Sequence, residues 1–175
     1  MTAPDKLPVT LGEAQAFLRL ETGEEEAIAV GLLRSATELC EAFIGQAIIA
    51  RTFVEIVAAT GRWERLAPTP VRSMTAVERI DAAGNAQVMT ADQYAIEIDS
   101  SGNGWVRVPA MTGFARVRVS GEAGMASEPN AVSEAIRQGI LRLAAHMFSN
   151  RDGVGGEPPA AVTALWRPYR RMRLS

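Results

Sequence analysis

Apolar and polar positions alternate along this chain with three successive periods. Thr10 followed by Glu13 spells a capping box, and Leu11, Ala14, Phe17 and Leu18 recur behind it at helical spacing, predicting a short first helix. Thr22-Gly23 ends that run. Glu24, Glu25 and Glu26 then open a long helix, because carboxylates in a first turn are favoured by the helix dipole. Its predicted apolar face is Ile28, Leu32, Leu33, Ala36, Leu39, Cys40 and Phe43, with Gly45 as the stop.

From Ile48 to about Gly121 the period drops to two. Residues 52–57, 77–81, 94–98 and 115–119 alternate β-branched or aromatic with polar residues, and turn-forming stretches at 83–85, 100–104 and 110–113 separate them. The pattern predicts an antiparallel meander of five or six strands. Arg116 and Arg118 against Val117 and Val119 predict one wet and one buried face. The helical period returns at Ser133, where Ile136, Ile140, Leu141, Leu143, Ala144, Met147 and Phe148 give a surface wide enough to be covered on most sides. Residues 153–159 (GVGGEPP) read as a flexible connection. A last short helix over 160–166 stops before Pro168.

The predicted fold class is therefore α+β: a helical bundle built from N-terminal and C-terminal helices, at about 10–45 and 133–166, with a central antiparallel β insertion at about 48–121. At 175 residues and 47% hydrophobic content, one domain spanning 1–175 is expected. A tail at 166–175 carries Trp166, Arg167, Tyr169, Arg170, Arg171 and Arg173. Trp, Tyr and Arg are the residues that most often carry binding energy, so this tail is the candidate docking segment, ordering as it meets a protein partner. Its arginines also suit phosphate contacts and stacking. A nucleic-acid-binding accessory module, using this tail and residues 116–118 (RVR), stays open as the alternative.

Net charge is only −2, but residues 1–50 carry eight acids against three bases and residues 133–175 three acids against seven arginines. Opposite signs at the two ends suit head-to-tail contact between identical subunits, or a basic end meeting an acidic partner. The lone Cys40 falls on a helical stripe and reads as a small buried hydrophobe in a reducing compartment. The only histidine, His146, reads as a packed or hydrogen-bonded core residue. Residues 99–104 (DSSGNG) faintly echo a calcium loop, yet Ala110 stands where the bidentate glutamate belongs, which favours a hairpin turn. The glycines at 153–156 lack the Lys-Ser/Thr of a phosphate loop. The sequence thus predicts no catalytic, metal or cofactor-binding residues and no enzyme. No apolar run approaches the roughly 20 residues needed to cross a bilayer, so no membrane partner is expected and synthesis is expected in the cytoplasm.

Four segments in this order resemble the head–tail connector, or adaptor, proteins of tailed double-stranded DNA phages and phage-derived gene transfer agents: residues 9–19 (VTLGEAQAFLR), 36–47 (ATELCEAFIGQA), 135–151 (AIRQGILRLAAHMFSNR) and 162–170 (VTALWRPYR). Gly139 departs from the more usual alanine of the family. The resemblance implies a structural adaptor forming a homomeric ring, a dodecamer, between portal and tail-side stopper or neck protein, made in the host cytoplasm and assembled into the neck of the particle. DNA would pass through the ring without sequence-specific binding. The acidic front half, with Lys6 as the only lysine, suits a channel that must not hold DNA. Portal docking would fall to Trp166, Arg167, Tyr169, Arg170, Arg171 and Arg173.

Overall fold

A computed structural model describes residues 1–2, 4–19, 25–110, 114–150 and 158–171. The chain is mixed α+β, and its contacts form two compact units. A β unit holds Met1–Asp5 and Ala50–Met125; a helical unit holds Lys6–Ile49 and Ala126–Ser175. The expected break at Thr22-Gly23 and the connection at 153–157 lie outside the described residues.

In the helical unit, α1 (Leu11–Leu18) starts at the predicted capping box: Thr10 Oγ1 accepts from Glu13 N–H, and Thr10 N–H donates to Glu13 Oε2 at 2.8 Å. The same carboxylate pairs with Arg137 on α3 (Glu134–Ser149), an arginine buried at 8% exposure. Arg137 also donates to the Pro129 carbonyl at 3.1 Å and lies 3.6 Å from Glu134. One buried guanidinium therefore fixes where the first helix meets the third. α3 packs against α2 (Glu25–Ile44), α4 (Ala160–Trp166) and α1, burying Ile136, Ile140, Leu141, Leu143 and Ala144 as its wide apolar surface requires.

The face of α2 is rotated from the one predicted. Ala29, Leu33, Ala36, Thr37, Cys40 and Ile44 form the buried seam, while Ile28 and Leu39 are each 43% exposed. Two adjacent apolar stripes run along this helix, and spacing alone does not say which one faces inward. The seam that won holds two alanines, which let α3 approach closely. Cys40 is buried as expected, and desolvation pushes its thiol pKa up, keeping it protonated and inert. Gly45, at φ +69°, ends the helix in the left-handed region. His146 departs from its predicted place: it is exposed on α3, with Nδ1 3.1 Å from Asn150 Nδ2.

The β unit is two antiparallel sheets rather than one meander. β1 (Arg51–Ala58), β3 (Val71–Asp81), β4 (Ala86–Val88) and β7 (Phe114–Ala123) pair in the order β1-β7-β3-β4. β2 (Trp63–Arg65), β5 (Ala95–Ile98) and β6 (Gly104–Arg107) pair in the order β2-β6-β5. The last strand enters between the first and third, placing Val119 opposite both Glu55 and Val77. Val117 and Val119 are buried with Phe53, Leu66, Val77 and Val106, and Arg116 is exposed, so the predicted alternation holds.

Glu13 carries a pH dependence. The Thr10 backbone hydrogen bond, then the Thr10 hydroxyl and Arg137, hold its pKa below the ordinary 4.5 against the opposing effect of burial. Because the folded value is the lower, this stabilisation is present above about pH 4.5 and is lost as pH falls through the folded pKa. Wild type should therefore lose stability on acidification to pH 3 more steeply than Glu13→Gln, measured as urea midpoints across pH 3–7. Parallel curves would show that Glu13 plays no such role.

Candidate docking site

The predicted docking residues begin with one that cannot dock. Trp166 is fully buried, held at the end of α4 against α3. Its Nε1–H donates to the Ile136 carbonyl at 3.3 Å, and its ring meets Phe43 of α2 at 6.0 Å between centroids. The indole fits because position 139 has no side chain: a Cβ there would stand 2.1 Å from Trp166 Nε1. The glycine that departs from the family's alanine is thus the notch for this ring. Trp166 is a core residue, and the expectation that it faces a partner is corrected by its burial.

The segment after Trp166 is anchored rather than loose. Arg167–Tyr169 make one 3-10 turn. Tyr169 hydroxyl hydrogen-bonds with Ser133 Oγ at the start of α3, and its carbonyl accepts from Gln46 Nε2 at 2.7 Å. Arg171 N–H donates to the Ile44 carbonyl at 2.9 Å, so the backbone here satisfies an otherwise open carbonyl at the end of α2. The segment is therefore ordered through Arg171 by contacts within the helical unit. Arg167 and Arg170 are exposed, the Arg170 guanidinium lying 5.5 Å from the Phe43 ring centroid. Tyr169 and Arg171 are half-buried, and Arg173 lies outside the described residues. The arrangement is a rigid aromatic root presenting arginines from its surface.

The other candidates resolve into structure. In the 99–104 turn, Asp99 Oδ1 accepts Ser101 N–H and Asn103 N–H, and Oδ2 accepts Asn103 Nδ2 at 2.7 Å and Trp105 Nε1 at 3.4 Å. These donors, the Asn103 side chain first, bring its pKa to about 2. The carboxylate is spent on closing the β5–β6 hairpin. On β7, Arg118 pairs with Glu78 at 3.5 Å, which leaves Arg116 as the exposed arginine of that pair. Among the described residues no group of three His, Cys, Asp or Glu side chains could hold a metal ion, and no helix is long and apolar enough to cross a membrane.

The Gly139 notch makes a sharp expectation. Gly139→Ala drives a methyl into the indole and should cost about 1–3 kcal/mol, an overpacking penalty, despite alanine's better helix propensity. Chemical denaturation with Trp fluorescence would measure it, and a stabilised variant would contradict this packing.

No protein-family model and no curated protein matches the chain. Solved structures do. The chain is similar to one in the neck of an empty gene transfer agent (GTA) particle computed with C6 symmetry: 27% identity, TM-score 0.79, covering 100% of this chain and 95% of that one. It is similar to one in the neck of a native GTA particle computed with C12 symmetry: 25% identity, TM-score 0.78, covering 100% and 94%. A chain of the virion of a native GTA particle matches at 26% identity and TM-score 0.76, covering 99% and 96%. End-to-end agreement in fold, joined to the four ordered segments in the sequence, makes the chain similar over its whole length to neck components of gene transfer agent particles.

Proposed function

We propose that the chain is a head–tail adaptor: a non-enzymatic subunit of a twelve-membered homomeric ring seated between a portal and a tail-side stopper, with DNA passing through the ring. The full-length similarity to neck chains of particles computed with C12 and C6 symmetry carries this reading, since a ring of twelve identical copies contains both symmetries. The chain is made in the host cytoplasm and takes its place in the neck as the particle assembles. Its N-terminal and C-terminal helices form the bundle that gives the ring its frame.

The docking residues for the portal are Arg167, Arg170, Arg171 and Arg173, of which Arg167 and Arg170 are exposed, on a segment held by the buried Trp166 and by Tyr169. A preformed root lowers the ordering cost of binding, because the anchor residues are fixed before the partner arrives. The nucleic-acid alternative is weakened by the Arg118–Glu78 pair, which uses one of its two strand arginines internally.

Deleting 166–175 would remove a core tryptophan, so the docking role is tested by charge instead. The double variant Arg167→Glu, Arg170→Glu should melt close to wild type and leave heads without tails, counted by negative-stain microscopy. Normal numbers of tailed particles would sink the docking assignment. Salt-dependent DNA binding by the wild-type chain, lost in the same variant, would favour the alternative.

A further inference from the structure

We infer that successive copies of this chain join edge to edge, β1 of one copy pairing antiparallel with β4 of the next, so that the four-stranded sheet continues from subunit to subunit. The inference rests on the ring reading above and names both surfaces of its contact.

β1 and β4 are the two edges of the sheet β1-β7-β3-β4. Along a strand, successive residues turn their N–H and C=O groups to opposite sides, so a bond at one position tells which neighbours point out of the sheet. On β1 the Thr52 carbonyl accepts from Thr2 N–H, outside the ladder with β7; by alternation the N–H and C=O of Val54 and Ile56 point outward too. On β4 the flanking residues bond inward to β3: Met89 N–H donates to the Val77 carbonyl at 2.9 Å, and the Asn85 carbonyl accepts from Asp81 N–H at 3.1 Å. Ala86 and Val88, of the other parity, therefore turn their backbone groups outward. Each edge offers an alternate pair of residues with open donors and acceptors.

The side chains at these positions agree. Ile56 lies opposite Arg118, Arg118 opposite Glu78 and Glu78 opposite Val88, so the outward residues of both edges share one face of the sheet. Val54 is 56% exposed, Ile56 49% and Val88 68%. Full overlap of the two edges sets Val54 opposite Val88 and Ile56 opposite Ala86, aliphatic cross-strand pairs that leave water together. Glu55, between them, faces the other side with Val119 and accepts from Ala67 N–H, so no charge interrupts the seam. Neither edge strand carries the lysine or proline with which proteins ordinarily blunt such edges.

Direction decides in favour of this sheet. Three antiparallel pairings separate β1 from β4, so the two edges run in opposite directions, and a second copy that extends the sheet meets β4 with an antiparallel β1. The three-stranded sheet lacks this property. Its edges β2 and β5 run the same way, so the exposed Ile96 and Ile98 on β5 belong to no such ladder. A contact of β1 with β4 joins unlike surfaces, as a ring requires, and each copy gives one edge to each neighbour.

The test uses the full chain and the necks assembled from it. In the double variant Val54→Cys, Val88→Cys, facing Cα atoms about 5.5 Å apart come within disulfide reach, while native Cys40 is buried. Oxidised necks should yield a ladder of linked chains on a non-reducing gel, and neither single variant should link. Val88→Pro removes an N–H that bonds nothing within the subunit, so the isolated chain should keep its melting temperature while the variant is lost from necks. No linkage in the double variant, or normal incorporation of Val88→Pro into a symmetric ring, overturns this interface and leaves the ring reading standing. Dimers from either single variant would mean that like edges meet, and linkage of Val54→Cys to a different protein would give the edge to that protein; both overturn the inference. A neck map with a single copy of the chain overturns both readings.

Discussion

The helical unit depends on a side chain that is absent. Gly139 opens a notch in α3, Trp166 fills it, and the indole N–H is satisfied by the Ile136 carbonyl one turn earlier on the same helix. A tryptophan buries about 150–250 Å², most of it apolar, so this single contact holds a seven-residue helix that could not persist alone. Once α4 is pinned, Tyr169 reaches Ser133 and Gln46, and Arg171 reaches Ile44. The last described residues of the chain are thereby stitched to α2 and α3, and the arginines between them inherit a fixed position.

A second fixed point works at the opposite end of the sequence. Arg137 is buried two positions before Gly139 in the same helix, and it is compensated by Glu13, whose carboxylate also caps α1. Breaking one partner of such a pair leaves a charge without compensation, which is far costlier than the pair's net contribution. α3 thus receives the amino-terminal helix through a charge and the carboxyl-terminal helix through a ring, within one turn.

Local signals are legible in the sequence. The capping box at Thr10 and Glu13, the Gly45 stop, the last helix at 160–166 and the alternating strands at 52–57 and 115–119 all depend on neighbours within a few residues, and the structure contains each of them. Non-local pairing is not legible. Nothing near Phe114–Ala123 says that this strand enters between β1 and β3, and strands of three or four residues such as β2, β4 and β6 are too short to establish a period. Trp166 hides its role for the same reason: beside arginines it has the composition of an interface, and its partner Gly139 lies 27 positions away. On α2 both apolar stripes are visible, but helix α3 decides which one faces inward. The neck-connector assignment comes from the order of four segments, each of them generic when taken alone.

The chain leaves the helical unit at Ile49 and comes back at Ala126, and these two residues are bridged side by side, with Ala126 N–H donating to the Ile48 carbonyl at 2.9 Å. Apart from Met1–Asp5, the whole β unit is therefore a detour between two adjacent points. Insertions of that kind can be lengthened, shortened or exchanged while the frame keeps its fold. The helical unit closes on its own contacts at the point of departure, so a change of length inside the detour leaves both of its attachment points where they are.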